Sequence, residues 1–394
     1  MPSFRVGSIA GIPIKLGLSF LLVLPLFAWF IGNGIGQLLP LLNGIFDANL
    51  PAAELSAGNT PYVLGIVAAV GLYVGVVLHE LGHSFVAMRY GYEIDSITLW
   101  FLGGIAQMAE MPEDWRQELA VAVAGPAVSV VLGLLSFVVF LVVPESLGGV
   151  RFVLAYLALL NVGLAAFNLL PGFPMDGGRV LRALLARTRT HAEATQLAAE
   201  VGKGFAFLLA LVGLFSGSIV FIAIAFFIYM SASGEAQQAV TKAALEGVAI
   251  SRVMTPADEI DALSPKASVA DLIERMLTER HTGYPVLESG ELVGMVTLTD
   301  AQKVREVERD AFRVEEVMTH ELETIPEDAD AMTALSTMQS AGVGRLPVVG
   351  LQGEFVGLVS RTDLMTALTI LRSSGRDSGA ETSRDSPRSP EESL

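Results

Sequence analysis

The sequence contains no cysteine and little charge. Without cysteine, disulfide bonds and thiolate metal ligands are excluded, so histidine and carboxylate side chains must supply any metal site. Charged residues make up only 17% of the chain, hydrophobic residues make up 52%, and the mean hydropathy is +0.56. This composition lies outside the ordinary range of soluble globular domains. The sequence therefore predicts a membrane protein.

Lysine is also scarce, and the acidic residues are concentrated toward the carboxyl end. Only five of the 25 basic residues are lysine; residues 246–394 carry 27 acidic and 14 basic side chains, against 14 and 11 in residues 1–245. The net charge of −16 disfavours nucleic-acid binding through a basic surface. Two interpretations of the acidic region stay open: adaptation to high salt, as in a halophilic archaeon, and an ordinary acidic cytoplasmic domain.

Long apolar runs predict six membrane spans. Four of these runs begin near Ile14, Tyr62, Leu119 and Phe152. A further run, over about residues 196–232, is too long for one span and has the turn signal FSGS near its middle, so we interpret it as two short spans. No small-residue cleavage site follows the first run, which predicts a retained span rather than a signal peptide.

Basic residues predict how these spans are oriented. Arg5 and Lys15 precede the first span, whereas residues 32–61 contain no lysine or arginine. The segment after the fourth span carries Arg179, Arg182, Arg187 and Arg189. Because segments rich in lysine and arginine face the cytoplasm, we expect a multi-pass protein of the cell membrane with both termini in the cytoplasm. Arg151, at the outer end of the fourth span, does not fit this pattern.

The second span contains the segment HELGH. An ionisable group at membrane depth costs about 2.5–3.5 kcal/mol, so three such groups need either partners or a function. On a helix, His79 and His83 share one face and can bind one zinc ion, while Glu80 stands beside the open coordination position. An isolated match to this pattern is often incidental, and a buried His–Glu pair would account for two of the groups. It would not account for two histidines at ligand spacing within a span.

A catalytic zinc usually has three protein ligands, so a third is needed. The other histidines lie in segments predicted to be cytoplasmic, and the candidate is Asp176 in NLLPGFPMDGGR, directly after the fourth span. The alternative is a simple proline- and glycine-rich loop leaving the membrane, which would leave Asp176 unexplained among apolar neighbours. Irregular backbone at membrane depth is tolerated where it lines a hydrated cavity inside the protein.

HELGH in a span, followed by FNLLPGFPMDGGR, resembles the site-2 protease family of intramembrane zinc metalloproteases, whose second motif has the form NxxPxxPxDG. The resemblance covers roughly residues 5–235, and we predict a transmembrane protease domain over residues 1–235. It implies a polytopic α-helical fold with six transmembrane helices and a small re-entrant β-hairpin, which WFLGGIAQM (100–108) resembles. AGPAVS (124–129) resembles the third-span signature of the family.

The resemblance also implies the roles of individual residues. His79, His83 and Asp176 would bind one Zn²⁺ per chain, and Glu80 would act as the catalytic acid and base. Asn168 would donate a hydrogen bond to the developing oxyanion, although capping of a broken helix is an alternative role for it.

A transmembrane substrate must unwind before its backbone can be cut, and an exposed strand edge can hold it extended. The hairpin at residues 100–108 could supply that edge, with Gly103 and Gly104 permitting close approach of the substrate backbone. The alternative is that this segment is a simple amphipathic loop.

The carboxyl-terminal region repeats itself. SRVMTP (251–256) recurs as EEVMTH (315–320), YPV recurs as LPV, and VGMVTLTD recurs as VGLVSRTD, at offsets of 64, 62 and 63 residues. The repeats resemble a tandem pair of α/β CBS domains, which we place at residues 247–309 and 310–371. The tail, residues 372–394, is rich in serine, proline and charge, and this composition predicts disorder.

The resemblance to CBS domains leaves two roles open. Some pairs bind adenine nucleotides such as ATP or AMP, with an aspartate on the ribose and a threonine or serine near the phosphate; others serve only as dimerisation modules, which would imply a homodimer. The residues that match are Thr297 and Asp300 in the first repeat and Ser360 and Asp363 in the second. The acidic surface disfavours a polyphosphate unless arginines compensate, and Arg345 and Arg361 are candidates.

These features predict an intramembrane zinc endopeptidase that cleaves transmembrane segments of membrane-protein substrates and is regulated by a cytoplasmic CBS pair. One alternative is a CBS-regulated membrane transporter or sensor with a structural zinc site, and another is a catalytically silent scaffold. Glu80 argues against structural zinc, because a structural site has no need of a base beside the metal.

Overall fold

The computed structural model describes residues 3–100, 103–108, 112 and 114–381. The chain divides into two compact units, Met1–Ala239 and Val240–Leu394. The predicted domain bounds, 1–235, 247–309 and 310–371, stay predictions.

Helices dominate the first unit, and among the residues that the structure describes, six helices are long and apolar enough to cross a membrane. This confirms the prediction of a polytopic α-helical protein with six spans. The six are all of the helices given below except α2 and α6. In chain order the helices are α1 (Leu18–Phe46), α2 (Ala52–Leu55), α3 (Thr60–Arg89), α4 (Trp115–Val142), α5 (Gly148–Asn168), α6 (Asp176–Leu185), α7 (His191–Ser216) and α8 (Ile219–Leu245).

The ambiguous run near residues 196–232 forms two helices, as predicted. Gly217 adopts a left-handed conformation, with φ 68°, and separates α7 from α8 within FSGS. The prediction that both spans are short was wrong, because α7 has 26 residues and α8 has 27. Both helices continue into polar residues that hydropathy does not mark. Thr190 and Glu193, for example, form a capping box that starts α7 well before its apolar part.

Four strands of the first unit form one sheet, which is larger than the predicted hairpin. The strands are β1 (Ser3–Ile9), β2 (Ile12–Gly17), β3 (Ile94–Trp100) and β4 (Gly103–Met108). They lie in that order; β2 and β3 pair in parallel, and the other pairs are antiparallel. The hairpin of β1 and β2 was not predicted. Ala10 and Gly11 form its two-residue turn, and both have positive φ, as a type I′ hairpin turn requires; Gly11 is the sequence signal for this turn.

The helix α3 packs against α1, α4 and α5 and is therefore enclosed on several sides. Glycines permit these close approaches: Gly65 lies against the backbone of Ala28 on α1, and Gly82 lies against Ala124 on α4. Small residues at helix contacts are typical of membrane bundles, where packing holds the helices together. The face of α3 that carries HELGH is thereby fixed against α4.

Arg151 is explained by its contacts. The side chain is buried, and its guanidinium donates hydrogen bonds to the carbonyl oxygens of Val143 at 2.7 Å and Ala48 at 3.2 Å. It also stacks over the ring of Phe140 at 4.4 Å. These carbonyl groups lie at or beyond helix ends, where backbone acceptors lack intrahelical partners. Arg151 therefore has a structural role, which is why it does not follow the charge pattern of the loops.

The second unit contains both repeats. Its strands and helices are β5 (Thr255–Pro256), α9 (Val269–Glu279), β6 (Gly283–Glu288), β7 (Glu291–Thr297), α10 (Leu298–Gln302), β8 (Ile325–Pro326), α11 (Ala331–Ser340), β9 (Arg345–Val349), β10 (Phe355–Ser360) and α12 (Arg361–Glu381). The predicted disordered tail, residues 372–394, begins with helical residues, because α12 runs to Glu381. From the start of α12 to residue 386 the sequence contains no proline that would break the helix. Residues 382–394 lie outside the described residues.

The two repeats exchange their leading segments. The strand β5, from SRVMTP of the first repeat, pairs with β10 of the second, and Thr319, from EEVMTH, bridges to Met295 on β7 of the first. The hydrophobic cores follow the same exchange, since Ile250 packs in the core of the second repeat and Val314 packs in the core of the first. The sequence period therefore does not mark two separately closed folding units.

Candidate metal centre

Three side chains from two helices converge in the first unit. His79 and His83 come from α3, and Asp176 is the first residue of α6. The Nε2 atoms of the two histidines lie 3.2 Å apart, and each lies 3.2 Å from Oδ2 of Asp176. Ligand atoms around a tetrahedral zinc, with bonds of about 2.0–2.1 Å, lie about 3.3 Å from one another. The triangle therefore has the dimensions of a zinc site.

The hydrogen-bond partners of the two Nδ1 atoms indicate which ring nitrogens carry a lone pair toward the centre of this triangle. Nδ1 of His83 lies 2.7 Å from the carbonyl oxygen of Val121, which can only accept, so Nδ1 carries the hydrogen. Nδ1 of His79 lies 2.8 Å from Oγ of Ser129. When Ser129 accepts in the same way, two imidazole lone pairs and a carboxylate oxygen point at one another, an arrangement that a cation stabilises. The donor set thus fits Zn²⁺.

Three residues on one face of α4 complete the surroundings of the histidines. Val121, Gly125 and Ser129 are spaced four residues apart and share this face. A Cβ atom at Gly125 would overlap Nε2 of both histidines. Sequence reasoning noted the segment AGPAVS but missed Gly125 and Ser129 as residues of the site. The spacing of four, matching that of the two histidines, is the signal that could have found them.

Close backbone packing places Asp176. The loop before it returns the chain from α5, and α6 starts directly at Asp176, with Met175 as the N-cap residue. A side chain at Gly177 would overlap the carbonyl groups of Leu169 and Leu170. Because glycine is required there, the loop and the first turn of α6 can lie against each other, which holds the carboxylate at the histidines.

A buried ion pair joins α6 to α4. Arg182, on α6, contacts Oε1 of Glu118, on α4, at 2.6 Å, and both side chains are almost fully buried. Arg182 also lies 3.8 Å from Oε2 of Glu235 on α8 and packs over the ring of Phe173 at 5.2 Å. The helix that begins with Asp176 is therefore fixed by charge as well as by packing.

The predicted catalytic residues lie near the triangle but outside it. Glu80 is half-buried on α3 and contacts β4, since a Cβ atom at Gly104 would lie 2.5 Å from Cγ of Glu80. Glycine at 104 therefore makes room for Glu80, a role that the sequence did not suggest. Asn168 is the half-buried last residue of α5. The N-cap of α6 is Met175, so the structure does not support the capping role for Asn168.

The segment from Trp100 to Met108 forms a hairpin, so the alternative of a simple amphipathic loop was wrong. Trp100 on β3 pairs with Gly103 on β4, and β4 is an edge strand of the described sheet. Residues 101 and 102 lie outside the described residues. The structure places Gly104 on the strand that contacts Glu80, so the hairpin packs against the HELGH helix.

In the first repeat, the carboxylate of Asp300 is fully engaged by its own repeat. Oδ2 accepts hydrogen bonds from the backbone N–H and the hydroxyl of Thr297, at 3.0 and 2.7 Å, and Oδ1 accepts one from Lys303 at 2.8 Å. Burial alone would raise the pKa of Asp300, but the hydrogen bonds from Lys303 and Thr297 outweigh it and hold this pKa below its ordinary value.

In the second repeat, Oδ2 of Asp363 accepts hydrogen bonds from the backbone N–H and the hydroxyl of Ser360, at 2.8 and 2.7 Å. The position that corresponds to Lys303 is Thr366, which carries no charge. Arg345 donates hydrogen bonds to the carbonyl of Gly283 and the hydroxyl of Thr282 and so connects the repeats. Arg361 is exposed at the start of α12. The aspartates of the two repeats thus accept the same hydrogen bonds from a hydroxyl and a backbone N–H, but only Asp300 also has a lysine at this position.

Family models match both units of the chain. Peptidase family M50 matches residues 67–147 and 145–212, a stretch that includes HELGH and Asp176. The CBS domain model matches residues 250–306 and 314–370, which correspond to the two repeats.

Named relatives match almost the whole chain. The zinc metalloprotease MJ0392 of Methanocaldococcus jannaschii is 35% identical over 369 residues, which cover 94% of this chain and 97% of the relative. The Synechocystis protein sll0528 is 28% identical over 379 residues, which cover 93% and 95% of the two chains. A solved structure of the site-2 protease from Methanocaldococcus jannaschii is 35% identical and covers 60% of this chain and 95% of that chain, with a TM-score of 0.40.

Proposed function

The chain belongs to peptidase family M50 as a multi-pass zinc metalloprotease of the site-2 protease type with a tandem CBS pair, and from this premise we propose that His79, His83 and Asp176 hold one catalytic Zn²⁺ per chain. Three ligand atoms at mutual distances of 3.2 Å support this assignment. In the described part of the chain, these three residues are the one group of histidine and carboxylate side chains that converges in this way.

The number of ligands favours catalysis over a structural role. A structural zinc usually has four protein ligands, whereas a catalytic zinc has three and keeps one position open. The described residues supply three ligands, with Glu80 beside them on α3. The alternative of a transporter or sensor with structural zinc, and that of a silent scaffold, give no role to this carboxylate.

Each catalytic residue would then have a defined task. A zinc ion held by His79, His83 and Asp176 would supply Lewis-acid chemistry: polarisation of the peptide carbonyl and a lower pKa, about 7, for water. Glu80 accepts the proton of the attacking water and later gives it to the leaving amine. Asn168, at the end of α5, donates its side-chain N–H to the developing oxyanion.

The substrate would be a transmembrane segment of another membrane protein. Its helix has to unwind, because backbone groups that are hydrogen-bonded within a helix cannot enter the site. The unwound segment would pair with the edge of β4, at Gly103 and Gly104, so that its carbonyl groups pass Glu80.

The CBS pair would be a cytoplasmic regulatory module that binds an adenine nucleotide, ATP or AMP. Thr297 with Asp300 and Ser360 with Asp363 supply the matching hydroxyl and carboxylate pairs. The arginines after the fourth span support cytoplasmic termini. Assembly of a homodimer through these domains is the second role that the pair could serve.

The substitution Glu80→Gln tests the proposed function, because it removes a proton acceptor and no zinc ligand. We expect full zinc content and a cleavage rate lower by about 10²–10⁴-fold. The measurements are metal analysis and cleavage of a model transmembrane substrate in proteoliposomes. His79→Ala is the control that should lose tight zinc binding. Cleavage by Glu80→Gln at the wild-type rate would show that Glu80 is not the base.

A further inference from the structure

The structure places two helices in register at the metal centre. His79 and His83 are one turn apart on α3, and their Nδ1 atoms meet Ser129 and Val121, two turns apart on α4. Gly82 brings the two helices together, because a Cβ atom there would overlap the backbone of Ala124. One face of α4 therefore supplies a hydrogen-bond partner to the Nδ1 atom of each imidazole.

We propose that Ser129 is a positioning residue that fixes the tautomer and the ring orientation of His79, an inference that rests on the proposed zinc site. Zinc can bind Nε2 only when Nε2 carries no hydrogen. A neutral imidazole meets this condition when its hydrogen lies on Nδ1 and has an acceptor there. The Ser129 hydroxyl, 2.8 Å from Nδ1, is that acceptor for His79.

The two histidines differ in how this acceptor is supplied. His83 uses a backbone carbonyl, that of Val121, which every residue at this position provides. His79 uses a side chain, so its orientation depends on the identity of residue 129. Ser129 is completely buried, so solvent cannot replace the hydroxyl when it is removed. With alanine at 129, Nδ1 of His79 loses its acceptor, and the tautomer that carries the hydrogen on Nε2, where Oδ2 of Asp176 lies 3.2 Å away, becomes accessible.

The test compares Ser129→Ala with wild-type full-length protein in detergent micelles. Zinc affinity is measured by competition with a chelator, and we expect it to fall by about 10–100-fold in Ser129→Ala, as for other residues that orient metal-binding histidines. Ser129→Thr keeps a hydroxyl and should restore most of the affinity. Ser136→Ala removes a hydroxyl two turns further along the same helix and should leave the affinity unchanged.

Thermal unfolding of the zinc-free proteins separates positioning from packing. A purely structural role would lower the melting temperature of zinc-free Ser129→Ala without changing the zinc affinity of the folded protein, and that result would overturn the inference. Unchanged affinity with an unchanged melting temperature would overturn it as well. The proposed zinc site fails in a different way: zinc affinity would then be insensitive to His79→Ala in the otherwise wild-type chain.

Discussion

Glycine determines where one helix, α4, and one strand, β4, can approach the HELGH segment. Gly125 on α4 faces Nε2 of both histidines, and Gly104 on β4 faces the side chain of Glu80. At both positions a methyl group would occupy the space of a residue assigned to the chemistry. Gly125 therefore leaves space for the two proposed histidine ligands, whereas Gly104 leaves space for Glu80, the proposed base.

Gly104→Ala should impair cleavage without loss of zinc. The methyl group would displace Glu80, while His79, His83 and Asp176 stay in place, so we expect zinc to be retained. A displacement of about 1 Å can lower a rate by about 10²-fold, and we expect a loss of this order in the cleavage of a transmembrane substrate. Gly7→Ala on β1, where nothing lies within 4 Å of the added Cβ atom, is the matched control. Wild-type turnover by Gly104→Ala would contradict this role.

At the scale of elements, α6 carries Asp176, one of the proposed zinc ligands, and is anchored by the ion pair of Arg182 and Glu118. Both side chains are almost fully buried, and the second carboxylate oxygen of Glu118 has no hydrogen-bond partner in the described structure. Removal of one partner from such a pair leaves an uncompensated charge in a medium of low dielectric constant. The ion pair therefore makes the position of α6 sensitive to single substitutions.

Arg182→Ala should lower the free energy of unfolding by about 3–5 kcal/mol, because Glu118 would stay buried without its partner. Replacement of both residues by methionine should recover most of this loss. Lys203→Ala is the control: it breaks an ion pair whose acid, Glu200, is 68% exposed, and about 0–1 kcal/mol is expected for such a surface pair. Denaturant unfolding in micelles measures these values. Equal decreases in the free energy of unfolding for Arg182→Ala and Lys203→Ala would show that the buried ion pair stabilises the protein no more than the surface pair does.

Local patterns predicted most elements of the first unit, and long-range contacts account for what they missed. Long apolar runs mark the spans, and a spacing of four residues marks the two histidines, because both signals lie within one helix. The contact between His79 and Ser129 joins residues 50 positions apart and depends on how α3 packs on α4. The hairpin of β1 and β2 is short, and it becomes a stable sheet only through its pairing with β3.

At the scale of the whole molecule, the chain joins a membrane protease to a pair of repeats that fold together. The repeats exchange β5 and the segment around Thr319, so a ligand that bound one repeat would also contact segments that belong to the core of the other. Any ligand that binds two conformations of such a pair unequally shifts the balance between them. The aspartates of the two repeats are not equivalent, and this difference predicts where a nucleotide binds first.

We predict that Asp363, rather than Asp300, dominates nucleotide affinity. Both oxygens of Asp300 accept hydrogen bonds, one of them from Lys303. In the part of the chain that the structure describes, Asp363 accepts hydrogen bonds through Oδ2 alone, and Thr366 stands where the lysine would be. Hydrogen bonds to a charged group contribute about 1.5–3 kcal/mol, so Asp363→Ala should weaken ATP or AMP binding by about 10–150-fold, and Asp300→Ala by less. Calorimetry on the full-length protein measures this difference.

The same nucleotide should change the rate of substrate cleavage, and reciprocity makes the link testable in binding alone. If nucleotide changes the affinity for a transmembrane substrate by some factor, the substrate must change the affinity for nucleotide by the same factor. Glu80→Gln permits this measurement, because it should bind substrate and zinc without cutting. We expect the two factors to agree within error. Nucleotide affinity that is the same with and without saturating substrate would exclude regulation through binding. Absence of nucleotide binding would leave the pair as an assembly module, and the number of chains per micelle, measured from the mass of the complex, would then show the dimer.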